Sequence, residues 1–332
     1  MQRITITVPD GTGNNLSSIV GAYKILTRAN EFWQSTGKRK LYQIEVAGVC
    51  KTVDYYEGLF SVKPQRNIAA IKKTNLIIIP SLNHDYAKAV KQNSLLIDWI
   101  EQQYQQGAAI AAICTGAFLL ASSGLLDGKN CSTHWAAADT FRTMFPNVRL
   151  QEDQLITDEA GLYTNGGAYS FLNLILYLIL YLVEKYYDRQ TAIFCSKVFQ
   201  IEMDRNSQSP FIIFTGQKTH EDEVVKKAQA YLESKVDEKI SVEQLSSLFA
   251  VGRRNFDRRF IKATGNTPVE YAQRVKIEAA KKAFETSRKT VNEVMYDVGY
   301  SDAKAFRELF RKLTGLSPLE YRMRYNKEVM VW

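Results

Sequence analysis

The last quarter of the chain repeats itself. "FDRRFIKATGNTPVEY" at 256–271 matches "FRELFRKLTGLSPLEY" at 306–321, with Phe256/Phe306, Phe260/Phe310, Thr264/Thr314, Gly265/Gly315, Pro268/Pro318 and Tyr271/Tyr321 each 50 positions apart. Upstream, "SVEQLSSLFAVGRRN" parallels "TVNEVMYDVGYSDAK", with one extra residue in the second turn. Each copy reads as a short amphipathic helix, a Gly-containing turn and a second helix, which is the helix-turn-helix unit.

The residue types fit that unit. Phe256 and Phe260, and in the second copy Phe306, Leu309, Phe310 and Leu313, form apolar stripes at helical spacing. The opposite face of the first copy offers Arg253, Arg254, Asp257, Arg258 and Lys262; that of the second offers Lys304, Arg307, Glu308 and Arg311. Long donors on such a face suit the base edges and phosphates of a major groove. Ser301 followed by Asp302 reads as an N-cap and a first-turn acid for the second of these helices. A row of Lys and Arg on one helix is ordinarily solvated surface. The same frame carried twice argues for DNA.

The charge is placed accordingly. Residues 241–332 hold 18 Lys+Arg against 11 Asp+Glu, a balance of +7; the other 240 residues, with the remainder of the totals of 43 and 35, hold 25 against 24, a balance of +1. A basic module attached to a neutral one points to a polyanionic partner.

The neutral part alternates. "RITITVP" (3–9), "YQIEVAGV" (42–49), "TNLIIIP" (74–80) and "AAIAAIC" (108–114) read as strands, with helices expected over 16–34 and 86–106. This order predicts an α/β domain, a flavodoxin-like parallel sheet with helices on both faces. The polar stretches "DRNSQSP" (204–210) and "TGQKTHEDE" (215–223) read as a linker, and everything beyond them as helical. The expected division is therefore an α/β domain over 1–205, a linker over 206–222, and an all-α domain with a double helix-turn-helix over 223–332. The most apolar run, "FLNLILYLILYLV" at 171–183, is shorter than the ~20 residues a membrane span needs and is expected to be a buried helix. No signal peptide is visible at "MQRITITVPDG". The four scattered cysteines, with no C-x-x-C pair and no metal-ligand spacing, suggest reduced thiols in a cytoplasm.

Two resemblances follow from these motifs. Residues 225–325, and above all "VGYSDAKAFRELFRKLTGLSPLEYR" at 298–322, resemble the DNA-binding domain of AraC-family bacterial transcription regulators. That likeness implies two helix-turn-helix units joined by a long helix, here "PVEYAQRVKIEAAKKAFETS" (268–287), with Gly252 where the first recognition helix usually starts on serine. The first 200 residues resemble the PfpI-like branch of the class I glutamine amidotransferase-like superfamily, through "AAICTGAFLLASSGLLDGKNCSTHW" (111–135) and "LYTNGG" (162–167). Together the two domains resemble the GlxA-like regulators.

In enzymes of that superfamily the cysteine on the strand-to-helix turn, here Cys114, is the nucleophile. His134 matches its histidine partner, and Ser17 stands where an acidic residue often lies, with Asp10 upstream. A helix N-terminus after the cysteine favours thiolate, yet the partner carboxylate is missing. The expectation is a ligand pocket formed by Cys114, Thr115, His134 and Ser17, with no catalytic residue, no metal and no cofactor. The whole reads as a cytoplasmic bacterial regulator that binds operator DNA as a homodimer. It would answer a small-molecule effector and act on the transcription machinery, away from membranes. The rival readings are that Cys114 is only a small buried residue kept by the shape of the turn, or that the chain is a thiol hydrolase or lyase using Cys114 and His134.

Overall fold

The computed structural model describes residues 2–11, 15–82, 85–166, 173–201 and 209–326, with side chains in the fourth stretch described from Tyr177 onward. They fall into two compact units, Met1–Gln208 and Ser209–Trp332. The expected boundary at 205/206 lies outside the described residues, as do Gly167 of "LYTNGG" and the first residues of the apolar run, Phe171 and Leu172.

The described strands of the first unit are β1 (Gln2–Val8), β2 (Tyr42–Gly48), β3 (Val53–Tyr55), β4 (Phe60–Val62), β5 (Arg66–Asn67), β6 (Leu76–Ile79), β7 (Ala109–Ala112), β8 (Asn130–Cys131), β9 (Arg149–Leu150), β10 (Ile156–Glu159) and β11 (Leu162–Asn165). Seven of them make one sheet in the order β10-β11-β7-β6-β1-β2-β5. Its pairings are parallel except for the edge pair β10 and β11. The helices are α1 (Leu16–Ser35), α2 (Tyr86–Gln92), α3 (Ser94–Gln105), α4 (Ala117–Ser122), α5 (Ala138–Met144), α6 (Asn173–Tyr186) and α7 (Arg189–Phe199).

Strand alternation sorts the core onto two faces. Ile4, Ile6, Leu76, Ile78, Ala111 and Ile113 pack with Ile25 of α1, Leu182 of α6 and Cys195 of α7. Ile77, Ile79, Ile110 and Ala112 pack with Ile100 of α3, Phe118 of α4 and Phe141 of α5. The helix expected over 86–106 is two helices. Asn93 breaks it: its side chain accepts from the Asp10 N–H (2.7 Å) and donates to the Asp10 (3.1 Å) and Ala89 (2.8 Å) carbonyls, competing with the helical ladder.

The described residues of the second unit hold no strand, and its α-helices are α8 (Glu223–Ser234), α9 (Val242–Leu248), α10 (Arg253–Thr264), α11 (Pro268–Thr286), α12 (Val291–Asp297), α13 (Ala303–Thr314) and α14 (Pro318–Tyr325). It has two cores. Phe256, Phe260 and Tyr271 centre the first; Phe284, Phe306, Phe310 and Tyr321 centre the second. Residues 209–222, within the stretch expected as a linker, lie along this unit. The Tyr325 hydroxyl donates to the Pro210 carbonyl (3.2 Å), the Phe214 N–H to Glu278 (3.1 Å), and Gln229 to the Gln217 carbonyl (2.8 Å). Glu278 and Lys281, both buried, form an ion pair at 2.7 Å. Lys281 also donates to the Ile212 carbonyl, so backbone of this arm satisfies both buried charges.

Candidate nucleic-acid interface and the cysteine turn

Each letter of the repeated frame has a local task. Phe256 and Phe260 are fully buried with rings 5.8 Å apart, and Phe260 meets Tyr271 edge-on at 5.4 Å. Phe306, Phe310 and Tyr321 reproduce this at 5.9 and 5.5 Å. The Thr264 and Thr314 hydroxyls donate to the carbonyls of Phe260 (2.8 Å) and Phe310 (2.7 Å). Gly265 and Gly315 then take the left-handed conformation that ends each helix, at φ +70° and +72°. Thr267 and Ser317 cap the next helix in a capping box with Glu270 and Glu320, and Pro268 and Pro318 open it. What the two copies share is the scaffold.

Apart from Lys262 and its equivalent Lys312, the outward faces differ between the copies. Arg253, Arg254, Arg258 and Lys262 on α10, and Lys304, Arg307 and Arg311 on α13, are exposed, and Asp257 is half-buried. Arg253 pairs with Glu243, Arg258 donates to Asn255 (3.1 Å), and Lys304 approaches Glu308 at 4.0 Å. Arg254 and Arg307 have no hydrogen-bond or ion-pair partner among the described residues. Arg259 lies between the faces and is committed to structure: it grips Asp222, the N-cap of α8, through two hydrogen bonds of 2.8 and 2.7 Å. Gly252 caps α10 with no side-chain bond. On α13 the cap is Asp302 itself, accepting from the N–H groups of Lys304 (2.8 Å) and Ala305 (3.1 Å), and not Ser301 as expected. The extra residue in the second turn moves the cap one place along.

In the first unit the carboxyl ends of β1, β6, β7 and β11 lead to Cys114. Its φ is +54°, a left-handed conformation costing a non-glycine residue roughly 1–3 kcal/mol. Contacts from distant segments hold it. The Cys114 N–H donates to Asn165 Oδ1 (2.8 Å), and its carbonyl accepts from the Thr133 hydroxyl (3.1 Å). Thr115 donates to the Leu82 carbonyl and shares a 2.9 Å hydrogen bond with Ser81. Gly116 permits the close approach, because a Cβ there would stand 2.6 Å from the Pro80 carbonyl oxygen. Cys114 is buried. Burial pushes its thiol pKa up, and hydrogen bonds from Ser81 and Thr115 offset part of the rise.

His134 is turned to the backbone. Its Nδ1 accepts from the Ala136 N–H at 2.9 Å, so the neutral ring carries its proton on Nε2, which is buried without a partner. Burial lowers its pKa to about 4. One nitrogen is thus occupied as an acceptor and the other already bears a proton, an arrangement poor for accepting a proton from a thiol. Ser17 is half-buried at the start of α1, its N–H donating to the N-cap Asn15 (3.0 Å). Its neighbour Ser18, fully buried, makes the link toward Cys114: it accepts from the Ser81 N–H (3.0 Å), and Ser81 meets Thr115. Asp10 interacts with Cys50, whose thiol pKa it raises. Sequence reasoning named Cys114, Thr115, His134 and Ser17 and did not name Ser18, Ser81, Thr133 and Asn165, which the structure joins to the turn. Thr133 and Asn165 lie within the motifs at 111–135 and 162–167 and Ser18 beside Ser17, whereas nothing in the sequence marked Ser81.

The DJ-1/PfpI family profile matches residues 32–179, and a helix-turn-helix domain profile matches residues 245–324. The chain joins a DJ-1/PfpI domain to an AraC-type helix-turn-helix domain. The DJ-1/PfpI domain is the unit with the Cys114 turn; the AraC-type domain holds both copies of the repeat. The HTH-type transcriptional regulator GbdR of Pseudomonas aeruginosa is 25% identical over 232 residues, 68% of this chain and 60% of that protein. The HTH-type transcriptional regulator GlxA of Rhizobium meliloti is 22% identical over 222 residues, 66% of each chain. The chain thus aligns with about 60% of the length of the first of these relatives. A crystal structure from Vibrio parahaemolyticus described as a transcriptional regulator superimposes with a TM-score of 0.52 at 27% identity, covering 60% of this chain and 98% of that one. No described helix is long and apolar enough to cross a membrane, and no three His, Cys, Asp or Glu side chains among the described residues are grouped to hold a metal ion.

Proposed function

We propose that the chain is a sequence-specific, DNA-binding transcription regulator. The observation that carries this reading is the pair of recognition helices, built on one buried frame and differing outside it. At equivalent positions Arg254 stands for Lys304, Asp257 for Arg307, Arg258 for Glu308 and Ile261 for Arg311. Two helices with the same fold and different outer faces read two different half-sites, so the operator half-sites for one protomer are unlike in sequence. Arg253, Arg254, Arg258 and Lys262, with Lys304, Arg307 and Arg311, supply the DNA contacts, and Asp257 excludes bases that offer only acceptors. The regulators to which the chain is similar support this reading.

The domain over 1–205 acts as the sensing and dimerising part, joined through 206–222 to the DNA-binding part over 223–332. A small-molecule effector bound beside Cys114, Thr115, His134 and Ser17 would set the DNA affinity of a homodimer that engages the transcription machinery in the cytoplasm. The Cys114 turn does no chemistry in this reading, because His134 is committed to the backbone and no carboxylate among the described residues is bonded to it. Selection of duplexes from a randomised library by the full chain, followed by footprinting, tests the proposal. Two protected patches about one helical turn, ~34 Å, apart on one face of the duplex are expected for each protomer. Failure to enrich any sequence overturns it. Robust turnover of amide, ester or dicarbonyl substrates that vanishes in Cys114→Ser would instead establish the thiol enzyme.

A further inference from the structure

The two copies of the repeat differ at one turn, and the difference lies where the halves of the DNA-binding domain meet. Ala250 and Gly299 occupy the same left-handed position between the two helices of each copy, at φ +52° and +74°. Their N–H groups make the same bond, to Ser247 (3.1 Å) and to Tyr296 (2.9 Å). Ala250 is exposed, whereas Gly299 sits against the other half: a Cβ on it would stand 2.2 Å from the Asp237 carbonyl oxygen. The second copy therefore needs glycine for contact as well as conformation.

Lys276 lies at the same seam. On α11, Tyr271, Ala272 and Val275 belong to the first core and Ile277, Ala280 and Phe284 to the second, so Lys276 stands at the changeover. Its ammonium donates to the Val236 carbonyl, just past α8, and to the Val298 carbonyl at 2.9 Å, just past α12. Apolar packing does not fill the rest of the seam. A cavity of about 460 Å³ opens there, with Leu232, Val269 and Ser301 among its walls.

We infer that Lys276 and Gly299 clamp the two helix-turn-helix units into one body and so fix the spacing between half-sites that the protein accepts. The inference rests on the DNA-binding reading above. Two modules held rigidly gain affinity over one only if both sites are in register, and that gain, on the order of 100-fold or more, disappears when the geometry forbids joint binding. A clamp makes the protein intolerant of changed spacing; without it α11, the 209–222 arm and the packing of Val236 still join the units but no longer lock the turn at Gly299 against Asp237.

The test uses the full chain and the duplex it selects from a randomised library. Affinity is measured for that duplex, for versions with one or two base pairs inserted between the half-sites, and for a single half-site. Wild type should lose about 100-fold on insertion. Lys276→Met, which removes the donors, and Gly299→Ala, which forces the loops apart, should each cut that penalty to about 10-fold or less. Both should bind the single half-site within about 2-fold of wild type. Ala250→Gly, at the equivalent free turn, should behave as wild type. An unchanged spacing penalty in both variants overturns the clamp. So does a half-site affinity that falls as far as the full-site affinity, since that assigns the residues to the folding of one unit. If no duplex is selected, the DNA-binding reading fails, and the clamp with it.

Discussion

The Cys114 turn and the two recognition helices handle polar atoms in opposite ways. Around Cys114 the hydroxyls, amides and carbonyls are turned inward and paired, and the histidine is kept neutral by burial. On α10 and α13 the charged groups point outward, and Arg254 and Arg307 have no hydrogen-bond or ion-pair partner among the described residues. A reactive residue type enclosed by neighbours that, His134 Nε2 apart, bond to one another holds a shape. Unpaired donors on a rigid frame are available to a ligand. In the function proposed above, the residue that looks most chemical in the sequence is not the one that acts.

The contrast can be broken most severely at the frame. Phe310→Ala removes a fully buried ring shared by α11, α13 and α14 and should destabilise the second unit by roughly 3–5 kcal/mol, leaving the first unit's transition in place. Differential scanning calorimetry of the full chain would show whether one transition moves alone. If both fall together, the two units do not unfold independently.

Next comes the pH dependence of the first unit. The folded-state pKa of His134, about 4, is below its ordinary value of 6.5, so the unfolded chain binds the extra proton first. The stability from keeping it neutral is complete above about pH 6.5 and is lost as pH falls toward 4, about 3 kcal/mol in all. His134→Asn keeps an acceptor for the Ala136 N–H and does not titrate, so its denaturant midpoint should be flatter over this window than that of wild type. Parallel curves would show that His134 is not held neutral.

Arg254→Ala and Arg307→Ala sharpen the other side of the comparison. Each should weaken binding to the selected duplex by about 1–3 kcal/mol and relax specificity at its own half-site only. Anisotropy titrations that find less than a threefold change in the double variant would remove these helices from the interface. The smallest effect belongs to Cys114→Ser, which is nearly isosteric. It should change unfolding by less than about 1.5 kcal/mol and leave DNA affinity unaltered. A large loss of DNA binding would make the cysteine a working part of the signal.

Much of this was legible before any coordinates. The frame "F-x-x-x-F…TG-x-x-P-x-E-Y" could be read because each letter acts within a few residues of itself: ring on ring at i, i+4, threonine on the preceding turn, glycine at the helix end, proline and the capping box at the next start. The strand at 74–80 was legible because its continuous apolar run marks a strand covered on both faces, and those at 3–9 and 42–49 because apolar residues recur at every second position. The Ser301 cap was misplaced because neighbouring Ser and Asp are both good caps, and geometry chose Asp302. Asn93 looked like one polar residue in a helix, and only its bond to Asp10 shows why the helix breaks.

The sequence by itself determined the two classes of domain, the doubled unit and the cationic faces, because these follow from periodicity and local capping. Tertiary structure decided the rest. Asn165 reaches Cys114 across 51 positions and Thr133 across 19; Phe214 reaches Glu278 across 64, and Lys276 joins carbonyls 40 and 22 positions away. Such contacts leave no period in the chain. They depend on which strand ends and which turns come to lie side by side, and that is fixed only when the core has closed.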